Sequence, residues 1–494
     1  MKLLVRQPLL YVIFIVVLGS AARLIYALKT QLWFGAPDHL AWEMMITDVV
    51  SNGLKGYDQL IHYPHEGGSI ILSLLAICFK FFGVKQSLVW VAFGVDALAR
   101  FVQLWVVQKH FDKRVFWIFG IWTIFSLPSI LPWSCVNFGL HSLSSFTPFL
   151  LLHLSLTDKL KPWAIGVFIG LTTWFSYNNL VLIPVFIGYL WYIKKRGAFF
   201  VNLAIGFIAI IALHVFVRTS FDAGFHLSGF SHTTIRGLGY HYLQDPSTYK
   251  NLYLVFIDSL PGSSLLPSFL MFSNSQIRSL WVWISLLGFL NILIPSKTKG
   301  TQRARILSFS WVFAFLIAYA LSPFYEPHID RTNYMYYRHL TYILPLFALV
   351  VIAGYSKFNL GRLFLPVVLS FGVIGYISEI IAARQENSMS YEAAGWVLAT
   401  KIGDDPERLT KLINENSLHK QELAFGYGWA FTEALFSENA QISDAPKIFE
   451  TLFESLPSDQ QCAFSEGALF AFNKDGMPKM EKSYKSLIEG KRCE

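Results

Sequence analysis

The sequence predicts an all-α fold: a polytopic bundle of membrane helices followed by a soluble helical tail. Three observations lead there. Apolar residues fill 54% of the 494 positions and charged residues only 15%, whereas soluble domains carry roughly 25% charged residues. Long apolar runs, rich in the chain's 44 Phe and 15 Trp, recur over the first four-fifths. From Arg384 onward the composition becomes that of a water-facing helical domain. The boundary therefore falls between a membrane part, residues 1–383, and a tail, residues 384–494.

The chain opens "MKLLVRQPLLYVIFIVVLGSAARLIYAL". Two basic residues precede an apolar run that is long for a signal peptide and lacks a clean small-residue cleavage pattern. It reads as an uncleaved first span, Leu9–Leu28, with its N-terminus in the cytoplasm. Hydropathy gives further spans at Leu88–Val107, Val115–Leu131, Ser142–Leu156, Trp163–Phe175, Leu180–Ile193, Phe199–Val217, Leu280–Ile294, Ile306–Leu321, Leu340–Ala353 and Leu363–Ile381. Several are short and interrupted by Pro or Gly, which a membrane helix tolerates where neighbours or a cavity satisfy the freed backbone groups.

One segment, "GGSIILSLLAICFKFFG" (Gly67–Gly83), can cross the membrane or lie along it. Charge decides. If it does not cross, the cytoplasmic loops are "QKHFDKR", "TDKLKP", "KKRG", "PSKTKGTQRAR" and "YSKFNLGR", all rich in Lys or Arg. If it crosses, every one flips outward, against the positive-inside bias. The segment is therefore expected to be an extracytoplasmic juxtamembrane helix, leaving about eleven spans and placing the tail outside. A bacterial inner membrane with a periplasmic tail fits this topology. The net charge of +8 is then topogenic, and no basic groove interleaved with aromatics points to nucleic acid. Cys78, Cys135, Cys462 and Cys493 have no metal-ligand spacing; Cys462 and Cys493 can pair in an extracytoplasmic tail, or remain free thiols.

Within the tail, "YEAAGWVLA", "AFGYGWAFTEAL" and "AFSEGALFAF" align on Gly395, Gly428 and Gly467. Their spacing lies near the roughly 34-residue period of helical-hairpin repeats. A tetratricopeptide-like docking or lid module is expected, an ordinary helical bundle being the alternative; a protein partner for these repeats goes with the former.

Residues with chemical potential gather on the outer face. The first outer loop carries Asp38, His39, Glu43, Asp48, Asp58, His62, His65 and Glu66. Any one of them can be an ordinary solvated group. Asp38 is singled out because it follows the first span directly, behind Pro37, where a carboxylate can act as general base on an acceptor presented at the lipid surface. His65 and Glu66 stand at the start of the juxtamembrane helix, where a helix N-terminus also favours anions. His62 and His65, with Glu66 or Asp38, can ligate a divalent metal, although the spacing is loose. Arg331, Arg338 and His339 lead into a late span. An arginine at that depth can grip a phosphate bidentately or simply snorkel beside Tyr334, Tyr336 and Tyr337. Asp96 and Arg100 lie four apart inside a span, so they share a helix face and are expected to pair; intramembrane charges are functional candidates by default.

In order and spacing, Pro37-Asp38-His39, Tyr63-Pro64-His65, Phe82-Gly83, Arg100, and Tyr337-Arg338-His339 with Pro345 resemble the C-type (GT-C) glycosyltransferase superfamily. Protein O-mannosyltransferases and the bacterial aminoarabinose and core-sugar transferases belong to it. The likeness covers roughly Met1–Ala382. It implies transfer of a sugar from a polyprenyl-phosphate donor to a lipid, glycan or protein acceptor on the extracytoplasmic face. Asp38 would then be the base and Arg338, with Arg331, would face the donor phosphate. Two positions depart from the family pattern: His39 stands for the second acid, and Pro64-His65 for Pro-Pro. A transporter or flippase of a lipid-linked saccharide is the rival; it calls for internal duplication among the spans, which the sequence does not show. An inactive membrane scaffold of the same fold is the other alternative.

Overall fold

A computed structural model describes residues 7–29, 37–52, 67–84, 87–125, 143–157, 161–193, 197–220, 275–294, 299–320, 340–356, 389–402, 406–415, 419–436 and 444–473, with single positions at 373, 374, 376, 377, 380, 488 and 489. Among the described residues there is no strand, and the regular structure is helical throughout. The contacts divide the chain into two compact units. The first comprises residues 1–32, 64–75 and 88–384; the second comprises 33–63, 76–87 and 385–494.

In the first unit, α1 (Gln7–Lys29) runs for 23 residues and α4 (Ser87–His110) for 24. At 1.5 Å per residue each exceeds 30 Å, so both are long and apolar enough to cross a bilayer. These are the two such helices among the described residues. The remaining apolar helices are shorter: α5 (Lys113–Phe125), α6 (Thr147–Leu156), α7 (Pro162–Phe175), α8 (Ile183–Tyr192) and α12 (Leu344–Tyr355). Pro near the N-terminus of α6, α7, α8 and α12 explains how these begin, since Pro costs no helical hydrogen bond there. Short 3₁₀ turns at Leu143–Phe146, Tyr177–Leu182 and Leu340–Tyr342 lead into α6, α8 and α12. The longer α9 (Gly197–Ser220), α10 (Ser275–Asn291) and α11 (Lys299–Ala320) follow the expected spans closely. The expected span Leu363–Ile381 lies almost wholly outside the described residues.

Close approach of backbones organises this unit. A Cβ on Gly166 of α7 would overlap the Leu203 carbonyl of α9, and one on Gly206 would overlap the Trp163 carbonyl in return. Small residues at such contacts let helix backbones approach closely. The core centres on Trp311, Phe119, Phe149, Phe186 and Phe347, all buried.

The segment Gly67–Gly83 forms α3 (Gly67–Phe81). Gly83, at φ 77°, ends it. Val84 N–H donates to Phe79 O at 3.1 Å and Gly83 N–H to Lys80 O at 2.9 Å, the pairing of a Schellman stop that glycine alone adopts without strain.

The second unit is a row of helices. The tail contributes α13 (Met389–Ile402), α14 (Pro406–Glu415), α15 (Lys420–Phe436), α16 (Ala445–Ser455) and α17 (Ser458–Asn473). The three glycines aligned in the sequence sit where α13, α15 and α17 touch. A Cβ on Gly395 would overlap Leu423 O, one on Gly428 would overlap Phe464 O, and one on Gly467 would overlap Phe425 O. Short amphipathic helices alternate with these long ones; α14 buries Leu409, Leu412 and Ile413, and α16 buries Phe449, Leu452 and Phe453. The row also includes α2 (Pro37–Asn52) from the first outer loop, which packs on α13.

Candidate functional site

Among the residues singled out in the sequence, Asp96 and Arg100 lie in the described part of the first unit. Arg100 Nε donates to Asp96 Oδ2 at 2.8 Å. A third member completes the group. Arg23 of α1 places its Nε 2.8 Å from the same Asp96 oxygen. All three side chains are buried, Arg23 at 1% exposure. Two guanidinium groups thus share one carboxylate.

Backbone carbonyls also accept from these guanidinium groups. Arg23 Nη1 donates to Gly19 O at 3.1 Å and Thr123 O at 3.2 Å, with Ile124 O at 3.5 Å. Thr123 and Ile124 belong to the last turn of α5, whose carbonyls have no helical partner and carry the negative end of the helix dipole. Arg100 Nη1 donates to Val16 O at 3.1 Å and its Nη2 to Ser20 Oγ at 3.0 Å. A Cβ on Gly19 would overlap the Arg100 guanidinium, so the small residue makes room for the charge. The group ties α1, α4 and α5 together. The signal for Arg23 was a lone arginine within the apolar run "SAARLIYAL".

Further along this unit, the "SYNN" turn is held by a relay. Tyr342 Oη donates to Asn179 Oδ1 at 2.5 Å, and Asn179 Nδ2 donates to Thr172 O at 2.6 Å. Trp311 Nε1 donates to Leu182 O at 3.2 Å. The relay holds the turn that leads into α12, with Tyr342 four residues after Arg338 in the chain. Elsewhere, His110 Nε2 and His153 Nδ1 share a hydrogen bond of 2.9 Å.

In the second unit, two acids of the first outer loop prove to be structural. Glu43 Oε1 accepts from Lys80 Nζ at 2.9 Å and from Ser87 N–H at 2.9 Å, with Ser87 Oγ at 3.3 Å. Asp48, buried at 2% exposure, accepts from Arg408 Nε at 2.6 Å, so α2 is clamped to α14. Asp38 and His39 fall in the first turn of α2, but their side chains lie outside the described residues. So do Asp58, His62, His65, Glu66, Arg331, Arg338 and His339. Among the described residues no group of three or more His, Cys, Asp or Glu is placed to hold a metal. Cys462 is disulfide-bonded to a partner outside the described residues, while Cys78 is a free, exposed thiol.

The class this defines is an all-helical protein with helices able to cross a membrane, a buried cluster of charges among them, and a helical row that incorporates the first loop. Comparison with known proteins goes no further: no family model, no curated protein and no solved structure matches the chain.

Proposed function

We propose that the chain is a multi-pass membrane glycosyltransferase. It moves a sugar from a polyprenyl-phosphate donor to an acceptor on the extracytoplasmic face. Asp38 acts as general base toward the acceptor hydroxyl, and Arg338, with Arg331, stabilises the departing phosphate. The observation that carries the reading is the ordered series of motifs from Pro37-Asp38-His39 through Arg100 to Tyr337-Arg338-His339. The start of α2 at Pro37 supports it, because Asp38 then stands in a helix's first turn, which favours an ionised carboxylate.

Two features support the multi-pass, tail-outside topology. Large apolar side chains are turned outward on α1, α8, α9, α10 and α11, among them Phe14, Trp191, Ile208, Trp283 and Phe313. A water-soluble protein rarely exposes so much apolar surface, whereas lipid solvates it. The disulfide at Cys462 suits an oxidising compartment outside the cytoplasm.

The test uses purified full-length protein in lipid with envelope extract as the source of donor and acceptor, and product analysis by mass spectrometry. Asp38→Asn is expected to abolish detectable transfer, and Arg338→Met to reduce it at least a hundredfold. Full transfer by Asp38→Asn overturns the assignment. Movement of an intact lipid-linked saccharide across the bilayer with no new glycosidic bond would make the protein a flippase instead.

A further inference from the structure

We propose that the face of the tail carrying Trp396, Trp429 and Phe470 is a docking site for an extended basic peptide segment of a partner protein. This inference stands apart from the sugar-transfer reading and uses only the second unit.

One carboxylate orients the aromatic rings of that face. Trp396 Nε1 on α13 donates to Glu433 Oε2 at 2.9 Å, and Trp429 Nε1 on α15 donates to Glu433 Oε1. The two indoles lie 5.7 Å apart between ring centres. Trp429 meets the Phe470 ring of α17 edge-on at 5.1 Å, and Phe425 joins Phe470 at 5.5 Å. The strip therefore crosses three helices, brought together by the glycine contacts described above. Phe470 is 37% exposed, and Trp396, Phe425 and Trp429 are half-buried.

Among the described residues around the strip, the charged groups are acids. Residues four apart share a helix face, which puts Glu392 beside Trp396 and Glu466 beside Phe470. Glu422 precedes Phe425 by three; burial first, and the nearby Glu422 charge second, hold the Glu392 carboxyl above its ordinary value. Two described basic groups at the start of α15 are engaged. Lys420, the one Lys or Arg in the sequence of α15 and α17, is paired with Asp459. His419 stacks on Tyr391 with Glu422 at 3.6 Å.

The ligand's chemistry follows from this inventory. Both indole N–H groups are spent on Glu433, so the strip offers π faces and carboxylate acceptors. A neutral saccharide can donate its hydroxyl protons to the carboxylates but gains nothing from their charge. A guanidinium or ammonium group needs only what the strip presents: carboxylates to receive its N–H groups and aromatic faces that attract cations. Helices pack roughly 8–10 Å apart, so crossing three of them takes roughly six residues of extended chain at ~3.4 Å each.

The experiment measures fluorescence anisotropy on full-length protein in a neutral detergent. The probes are a fluorescein-labelled Arg-Pro octapeptide, its Glu-Pro counterpart, and a labelled neutral gluco-oligosaccharide. The Arg-Pro peptide is expected to bind, with roughly tenfold weaker affinity at 300 mM than at 50 mM NaCl as screening increases. Glu433→Gln and Glu466→Gln are each expected to weaken it at least fivefold. Glu415→Gln, at an exposed position of α14, leaves it unchanged. Near-UV circular dichroism checks that Glu433→Gln folds; Glu466 is solvent-exposed, so its substitution carries the test even if Glu433→Gln does not fold. Unchanged affinity in Glu466→Gln, equal weakening by Glu415→Gln, or preference for the Glu-Pro peptide or the oligosaccharide overturns the proposal.

Discussion

The helices of the first unit and those of the tail dispose the same kinds of residue in opposite ways. On α1, Leu10, Phe14, Val17 and Leu28 point outward, and on α9 so do Val201, Ile205, Ile208 and Phe216. Among the described residues of the tail, Ile448 and Phe470 are the large apolar side chains classed as exposed. Polar groups run the other way. The first unit hides Arg23, Asp96 and Arg100, while the tail keeps most charges at its surface. Net charge also reverses: residues 384–494 hold 12 Lys and Arg against 18 Asp and Glu, leaving the rest of the chain with 28 against 14. Yet both regions bring helices together through glycine, at Gly166 and Gly206 in one and at Gly428 and Gly467 in the other. The proposed membrane topology accounts for the difference. Where lipid is the solvent, apolar surface costs nothing and a charge must be enclosed; where water is the solvent, the reverse holds.

The largest expected effect falls on the enclosed charges. Asp96→Asn removes the carboxylate that two buried guanidinium groups share, and breaking a buried ion pair costs about 3–5 kcal/mol. Fluorescence-detected size exclusion should show little folded protein. The exposed pair Lys420–Asp459 provides the contrast: Asp459→Asn should leave the melting temperature of the full-length chain unchanged. Normal yield from Asp96→Asn would mean that water reaches the cluster, and the contrast between the units would weaken.

Next comes the outward face of α1. Val17→Lys places a charge where lipid is expected, which costs ~2.5–3.5 kcal/mol near a helix centre on insertion scales. Glu415→Lys in the tail, at an exposed position, should cost no more than about 0.5 kcal/mol, as exposed substitutions do. Comparing membrane-inserted yields of the two variants decides the matter, and equal yields would break the lipid reading of α1. A smaller effect is expected where the two units agree. Gly428→Leu should force α15 from α17, since no space exists for its Cβ; overpacking typically costs about 1–3 kcal/mol. Limited proteolysis of the full-length protein should then cut first within the tail.

The smallest effect is a pH dependence confined to the tail. Burial first, and the Glu422 charge second, raise the Glu392 pKa. The folded tail thus binds the Glu392 proton more tightly than the unfolded one does. Its contribution to stability is complete below the unfolded value and is lost as pH rises through the folded one. Glu392→Gln should flatten the melting-temperature profile on that acid limb while leaving the plateau above it nearly level. An unaltered profile would remove the Glu392–Glu422 interaction from the account.

Helix class, the positions of α1, α4, α7 and α9, and the glycine alignment of the tail were legible because each follows from local pattern. Apolar length marks a membrane helix, and a small residue among aromatics marks a close packing point. The partner of Asp96 was only half legible. Arg100 lies one helical turn away, so spacing reveals it, whereas Arg23 lies on another helix and nothing local announces the meeting. Glu43 and Asp48 read like any other acids of the outer loop. Their engagement by Lys80, Ser87 and Arg408 takes them out of the pool of chemically free groups and leaves Asp38 the more prominent.

By itself, the sequence determined which stretches are helical, which are apolar enough for lipid, and which loops carry the positive charge, because each depends on residues within a few turns of one another. Only the tertiary structure decided that one carboxylate serves two arginines, that α2 joins the row of the tail, and that Glu433 holds two indoles at once. Those outcomes depend on contacts between residues distant in the chain, up to 360 apart for Asp48 and Arg408. Such pairings are chosen by the global packing that satisfies every buried charge together, not by any local preference.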